Sequence, residues 1–340
     1  MQRHFHRREF CLGLVAMPAL ARSTMAQETS TIVLGKQHGL PYLPLLVMEE
    51  FRLVEKYAAK AGMPALQPEY KTLGGTSSLV DALLSGHMHF GVTGVPGLAT
   101  LWDKTVGTPR EMHALAAVQS MPFLLVTNNP NVKSIRDLGQ TDRIALPAVK
   151  VSAQAIALQL AAAKEWGQAE YARLDALTIT RSHPDAATAI MSKSTEIDTH
   201  YAVSPYYQYE LAVPGIRTIL KSYDTFGGPV TNGVMIMSKA FYDTNPKSCA
   251  AVYGALDEAN NFIARNPRDA AQIYLTVTKE RRSSLDELTS FVSDPDNVWT
   301  TTPSNSMQYV NFMHDVGTLK RLPASWKDLF LPEACALAGS

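Results

Sequence analysis

Residues 73–102, LGGTSSLVDALLSGHMHFGVTGVPGLATLW, carry the pattern on which the fold of this chain depends. Gly74-Gly75 predicts a tight turn, and the apolar residues after it recur at helical spacing until Ser85-Gly86 ends the helix. Residues 90–93 predict a short buried strand, and Gly94-Val95-Pro96-Gly97 begins another helix. We therefore expect two loops with free backbone N–H groups at strand ends, which is where open α/β sheets bind ligands.

The composition is that of an ordinary globular protein. The chain has 340 residues, of which 46% are hydrophobic and 18% are charged. This length is enough for about two domains of ~150 residues.

The first 26 residues predict an export signal. Arg7-Arg8-Glu9-Phe10 is a twin-arginine sequence, an apolar run follows at 11–21, and small residues at 24–26 suit a peptidase. A Sec signal that happens to contain paired arginines is the alternative, and both signals export the protein. No later segment reaches the ~20 apolar residues of a spanning helix, so we expect no membrane insertion after cleavage.

The net charge argues against one class of partner, and the cysteines leave one question open. Without residues 1–26, four of the 31 basic and one of the 31 acidic residues are lost, which leaves a net charge of −3. A nucleic-acid partner is therefore not expected, because it requires a basic surplus. Cys249 and Cys335 remain, and the sequence leaves open whether they form a disulfide or stay as two free thiols.

Strand and helix patterns alternate along the chain and predict an α/β protein with parallel-core sheets flanked by helices. The first hundred residues contain strand patterns at 31–35, 68–70 and 90–93 and a long helix pattern at 45–60. The hydroxyls of Thr76, Ser77 and Ser78 are expected to cap the helix that follows Gly75. Strands are predicted at 112–119 and 123–127, and the same alternation is repeated from there to about residue 231.

A return strand at 232–237 indicates two lobes joined by a hinge of two crossings. We predict that residues 27–120 and 232–340 form a discontinuous lobe 1 and that residues 121–231 form an inserted lobe 2. The crossings lie near 119–127 and 230–237. The remainder of the chain is mostly helical, with proline at the first position of helices after Asn245 and Asn266.

The order of motifs resembles the solute-binding proteins of ABC importers in the nitrate/sulfonate/taurine and thiamine-pyrimidine group. These proteins have the type II periplasmic-binding-protein fold. The resemblance spans nearly the whole chain after the signal, and it departs from the family at His89 and in the loop 148–151. The segments that carry it are Gly75-Thr76-Ser77, 82–86, 90–94, 134–138, 197–205 and 325–330.

The resemblance implies a monomeric periplasmic protein that captures a small organic solute and delivers it to a permease and its ATPase. The best interpretation of the solute is an alkanesulfonate or taurine-like anion. The alternatives are a receptor for a pyrimidine or aromatic solute, a pyrimidine-synthase-like enzyme, and a receptor that reports to a sensor. No cofactor, metal or catalytic residue is expected.

The predicted ligand-binding residues come from both sides of a cleft, and helix capping is the alternative role of each hydroxyl. In the first lobe they are Gln37, His38, Tyr42, Gly75, Thr76, Ser77, Thr93 and Gly94. In the second lobe they are Val151, Ser152, His200, Tyr201 and Ser204.

An enzyme is the competing class of function. The sequence contains no G-x-S-x-G elbow, P-loop, dinucleotide fingerprint or CxxC pair. His87 and His89 alternate on one strand face as metal ligands can, but no third ligand is spaced nearby, and we favour solvated loop histidines. The two cysteines lie outside the predicted cleft, which argues against the synthase.

Overall fold

The structure is a computed structural model that describes residues 28–340, so the predicted export signal lies outside it. Within this range the strands are β1 (Thr31–Lys36), β2 (Gln67–Thr72), β3 (Phe90–Thr93), β4 (Met112–Gln119), β5 (Leu124–Thr127), β6 (Ile144–Leu146), β7 (Thr178–Thr180), β8 (Thr199–Ala202), β9 (Arg217–Lys221) and β10 (Gly233–Ser238). The α-helices are α1 (Leu43–Glu50), α2 (Leu53–Lys60), α3 (Thr76–Leu84), α4 (Val95–Thr105), α5 (Ala153–Trp166), α6 (His183–Met191), α7 (Tyr206–Leu211), α8 (Ser222–Phe226), α9 (Lys239–Thr244), α10 (Pro246–Arg265), α11 (Pro267–Thr278), α12 (Leu285–Val292), α13 (Met307–Asp315) and α14 (Pro332–Cys335).

These strands form two five-stranded sheets, in the orders β2-β1-β3-β10-β4 and β7-β6-β8-β5-β9. In the first sheet β1 is parallel to β2 and β3, while β10 runs antiparallel to both of its neighbours. In the second sheet β6 is parallel to β7 and β8, while β5 runs antiparallel to β8 and β9. The predicted α/β class is confirmed, and each sheet is mixed around a three-stranded parallel part. We call each sheet with the helices packed on it a lobe.

The chain crosses between the sheets twice, once between β4 and β5 and once between α8 and β10. The two crossings lie side by side, because Asn232 N–H donates to the Gln119 carbonyl at 3.3 Å and its side chain donates to the Met121 carbonyl. Tyr309 Oη donates to Asn232 Oδ1 at 2.8 Å and so attaches α13 to the second crossing. The residue boundaries of the lobes stay a prediction.

The single helix predicted at 45–60 is wrong, because two helices occupy this range. Arg52 has a left-handed backbone with φ of 51°, and it separates α1 from α2. Helix α1 is buried over its first six residues, whereas α2 buries only one stripe. The bend lets that stripe pack against α10, where Lys56 and Glu258 form an ion pair at 2.7 Å.

Two of the predicted helix caps are confirmed and others are wrong. The sequence predicts Ser134 as the cap of a short helix through residue 138 and Ser152 as the cap of α5. Both hydroxyls cap a helix, which in the case of Ser134 is the 3-10 helix Ile135–Asp137. The cap position of α3 is Gly75 itself, which makes no side-chain cap, so none of the three hydroxyls after it fills that role. Asn245 precedes α10 as predicted, but its Oδ1 accepts from the N–H of Thr29 at 2.8 Å instead of capping the helix.

Some elements were not predicted from the sequence. Strand β9, RTILK, lies at a sheet edge and is only partly buried, so its apolar pattern is weak. Helices α8 and α9 are five and six residues long, which is too short for a helical period to stand out.

Two further properties of residues 28–340 bear on function. No helix there is both long enough and apolar enough to cross a membrane. Cys249 is buried and Cys335 is partly buried, and both are free thiols.

Candidate functional site

A small cavity lies between the lobes, and we call it the inner cavity. Its volume is about 30 Å³, and loops from the ends of strands in both sheets line it. A buried water needs about 10–15 Å³, so the inner cavity holds two or three waters or a compact head group of similar size. Its polar lining residues are Gln37, Thr76, Thr93, Gln119, Gln154, His183 and Asn232.

Four helices begin at the inner cavity. Thr76 and His183 are the first residues of α3 and α6, Ala153 is the first residue of α5, and Gly94 immediately precedes α4. The first N–H groups of a helix have no partner within the helix, and they carry a partial positive charge. The cavity therefore favours an anion or a strong hydrogen-bond acceptor.

The side chains around the inner cavity are neutral. Among the described residues, no Lys, Arg, Asp or Glu lines it. Asn232 is fixed by its bonds to Met121 and Tyr309. Gln119 is 2% exposed, and its Oε1 is buried without a partner in residues 28–340. An unpaired buried polar atom costs about 1–3 kcal/mol, so Gln119 is a group that a solute could satisfy.

A hydrogen-bonded chain runs from the inner cavity into the second lobe. The Gln154 amide lies 3.2 Å from His183 Nε2, His183 Nδ1 lies 2.8 Å from His200 Nε2, and His200 Nδ1 lies 2.5 Å from Glu210 Oε1. Burial raises the pKa of Glu210 well above its usual range. Burial also lowers the pKa of His183 and lowers that of His200 to about 3. Burial therefore favours the neutral form of all three groups, with the proton on Glu210 and not on His200.

The lobes touch each other closely around the inner cavity. A Cβ added at Gly75 would lie 2.7 Å from the carbonyl oxygen of Pro147, and one at Gly94 would lie 2.6 Å from the Cβ of Ala153. A third contact is the bond from Leu40 N–H to the Ser204 carbonyl at 2.8 Å. Real Cβ atoms do not approach this closely, so the two glycines permit the closed arrangement.

A larger cavity adjoins the inner one and is called the outer cavity. Its volume is about 710 Å³, and it shares Gln37 and Tyr42 with the inner cavity. Its other walls include Tyr206 at the start of α7 and Tyr274 in α11. Both lobes and the C-terminal helices thus contribute to it.

The chain is similar in structure to several solute-binding proteins. The alkanesulfonate-binding protein SsuA from Xanthomonas axonopodis pv. citri, bound to MOPS, aligns with a TM-score of 0.69 at 16% identity, over 90% of this chain and 99% of that one. The periplasmic nitrate-binding protein NrtA from Synechocystis PCC 6803 gives 0.67 at 15% identity, over 91% and 88%. A putative sulfonate ABC transporter's periplasmic sulfonate-binding protein SsuA from Methylobacillus flagellatus KT gives 0.59 at 17% identity, over 91% and 94%.

The chain has the periplasmic-binding-protein fold. The resemblance inferred from the motifs is confirmed at this level, and identities below 20% carry no further conclusion about the solute. No protein-family model and no curated protein sequence matches the chain.

Six of the 13 predicted site residues line the inner or the outer cavity. Gln37 and Tyr42 line both cavities, His38 lines the outer one, and Thr76, Thr93 and Gly94 line the inner one. The residues that line neither cavity are Gly75, Ser77, Val151, Ser152, His200, Tyr201 and Ser204.

The residues outside the cavities have other contacts. Ser152 Oγ donates to the Ala148 carbonyl at 2.8 Å and caps α5, and Ser77 is exposed. His200 is fully buried behind His183. Tyr201 packs edge-on against Phe123 with ring centroids 6.0 Å apart.

Four polar residues of the inner cavity were not predicted: Gln119, Gln154, His183 and Asn232. Each stands at the boundary of an element that the sequence did predict. Gln119 ends β4, Asn232 precedes β10, and His183 begins α6. Amides at the ends of the two crossing strands, where the lobes must meet, are the signal that could have found two of them.

The structure gives no support to the metal hypothesis. His89 Nδ1 accepts the N–H of Val33 at 2.9 Å, and His87 Nδ1 lies 2.7 Å from Ser85 Oγ. No group of three His, Cys, Asp or Glu residues between positions 28 and 340 is placed to hold a metal ion.

Proposed function

We propose that this protein is the solute-binding component of an ABC importer and that it captures a small organic anion between its lobes. The inner cavity is the observation that carries the proposal, because four helix N-termini and neutral donors surround it. N–H···O bonds to an ionised acceptor are about twice as strong as bonds between neutral groups. The sulfonate head group of an alkanesulfonate or taurine fits this site best, since it offers three acceptor oxygens.

The close contact of the lobes supports capture by closure. A solute in the inner cavity touches loops of both lobes, so it stabilises the closed arrangement relative to an open one. Gly75 and Gly94 leave the space that this contact requires.

We place the protein in the periplasm as a monomer, after removal of residues 1–26, where it delivers its solute to a permease and its ATPase. The twin-arginine pattern supports export. Two of the similar structures are described as periplasmic binding proteins for nitrate and sulfonate, and one of these as part of a sulfonate ABC transporter. A sensor instead of a permease remains the alternative partner. The proposed function includes no cofactor and no reaction.

A pyrimidine or aromatic solute is the second candidate. The buried amide oxygen of Gln119 favours it, because a ring N–H or O–H donor would satisfy that atom. The synthase-like enzyme has no comparable support, since Cys249 and Cys335 line neither cavity and burial raises the pKa of both thiols.

A thermal-shift series tests the proposal on the exported protein. We expect ethanesulfonate or taurine to raise the melting temperature by roughly 5 °C at 100 times its Kd, because such occupancy adds about 2.7 kcal/mol. A shift with uracil alone would favour the second candidate. No shift with sulfonates, nitrate, pyrimidines or aromatic carboxylates would overturn the proposed function.

A further inference from the structure

The inner cavity is too small for a whole organic anion. Its 30 Å³ holds a head group, so any organic part of the solute has to lie elsewhere. The outer cavity is the adjoining space, and Gln37 and Tyr42 belong to the walls of both. Its volume of 710 Å³ lies within the range of about 300–1,000 Å³ that is usual for small-molecule sites.

Four tyrosines line the outer cavity. Tyr206 and Tyr274 are 6% and 3% exposed, and Tyr42 and Tyr70 are partly buried. They come from α7, α11, the loop before α1 and strand β2, so four separate parts of the chain bring an aromatic ring to one space. Aromatic rings attract each other beyond the effect of their buried area, which favours a planar ring as the occupant.

The charged residues of the outer cavity favour an anion. Lys36 is 7% exposed and is paired with Glu49 at 2.8 Å, so this pair is neutral overall. The rim contains Lys279, Arg281 and Arg282 against one acid, Glu280, which leaves a surplus of two positive charges. Desolvation lowers the pKa of His38, against a smaller opposing effect of Asp185, so this ring adds no charge at neutral pH.

We propose that the outer cavity binds the organic part of the solute and that this part is an aromatic ring. The anionic head then lies in the inner cavity, the ring lies among the tyrosines, and an acidic group on the far side of the ring faces the basic rim. This inference rests on the proposed function and names the class of its solute as an aromatic anion.

Three compounds that share one head group test the inference by calorimetry. They are ethanesulfonate, benzenesulfonate and 4-sulfobenzoate, which add first the ring and then the distal acid. We expect benzenesulfonate to bind at least tenfold more tightly than ethanesulfonate, and 4-sulfobenzoate to bind more tightly again at low salt. Equal affinities for ethanesulfonate and benzenesulfonate would overturn the inference and leave the proposed function standing. Binding of neither would overturn the inference, and the thermal-shift series would then decide whether the proposed function stands.

Variants of the tyrosines locate the ring. Tyr70→Leu and Tyr274→Leu are expected to bring the ratio of the benzenesulfonate and ethanesulfonate affinities close to one. Tyr253→Leu is the matched control, because Tyr253 is a partly buried tyrosine of α10 outside both cavities. The ratio of the two affinities within one variant is independent of any loss of folded protein. Tyr70 is less buried than Tyr274, so its substitution disturbs the fold less. A ratio that survives both substitutions would place the ring elsewhere and contradict the inference.

The basic rim is tested by a double substitution. Arg281→Gln with Arg282→Gln should remove the extra affinity of 4-sulfobenzoate over benzenesulfonate and its salt dependence. Arg110→Gln, at an exposed arginine outside both cavities, should retain them. Retention in the double variant would show that the distal acid does not face the rim.

Discussion

The two lobes share a strand plan but begin their site-facing helices differently. In the first lobe the residues before α3 and α4 are Gly75 and Gly94, and neither makes a side-chain cap. In the second lobe Ser152 and Ser182 cap α5 and α6, each accepting the N–H three residues later, at 3.2 and 3.4 Å. One lobe therefore presents uncapped backbone N–H groups, and the other satisfies one of them in each helix.

This difference indicates a division of roles between the lobes. Uncapped N–H groups attract any anion, whichever side chains surround them. The second lobe adds Gln154 and His183, whose donors and acceptors depend on the buried chain behind them. We expect the first lobe to supply most of the affinity and the second to supply discrimination.

The largest expected effect comes from filling the contact between the lobes. Gly94→Ala places a Cβ 2.6 Å from that of Ala153, which keeps α4 and α5 from approaching each other. Overpacking of this kind costs about 1–3 kcal/mol, so we expect the affinity for the solute to fall by roughly 5- to 150-fold. Calorimetry with the best-binding sulfonate measures the loss.

The same experiment has a close control. Gly74→Ala lies next to the contact at Gly75, but its added Cβ would have no atom within 4 Å. We expect this variant to bind like the wild type. Full affinity in Gly94→Ala would mean that the lobes close in another way and that the comparison of their helix starts has no bearing on binding.

The order of strands and helices in each lobe could be predicted from the sequence, but the contact between the lobes could not. Glycines in 73–102 and a return strand after residue 231 are local patterns, and they predicted the β-α alternation and the second crossing. That Gly94 meets Ala153 depends on the relative placement of segments almost 60 residues apart in sequence. The sequence also favoured hydroxyls as ligands, whereas Ser152 is used within its own lobe as a cap.

The second prediction concerns the buried chain of the second lobe. Above its usual pKa of 4.5, Glu210 loses its proton in the unfolded chain but keeps it in the fold. The wild type therefore loses stability as the pH rises from 4.5 towards the raised pKa, by about 1.4 kcal/mol per pH unit. Gln in this position cannot ionise and retains a donor for His200. We expect Glu210→Gln to match the wild type below pH 4.5 and to be increasingly more stable above it.

Urea unfolding of both proteins between pH 4 and 7 measures this difference, and the contributions of His183 and His200 largely cancel in it. Lower stability of Glu210→Gln throughout the range would mean that Glu210 and His200 are an ion pair. In that case the buried network contains an ion pair, and a cationic His200 lies behind the His183 ring that faces the solute.

The positions of the hydrogen-bonded residues explain why the sequence could not reveal that they meet. His200 and Glu210 lie on β8 and α7, ten residues apart, and their spacing has no period that indicates contact. His183 joins them only because α6 packs beside α7 and β8. The prediction that His200 binds the solute identified a residue of this network, but His183 lies between His200 and the inner cavity.

The smallest expected effects come from two serines that the sequence assigned the same role. Ser152→Ala removes the cap of α5 and should lower the free energy of unfolding by about 1 kcal/mol. Ser77→Ala removes an exposed hydroxyl outside both cavities and should change it by less than about 0.5 kcal/mol. Neither change should alter the affinity for the solute by more than about twofold, since the backbone N–H groups remain. A tenfold loss of affinity in Ser77→Ala would show that the first lobe binds through its side chains, and the contrast between uncapped and capped helices would lose its meaning.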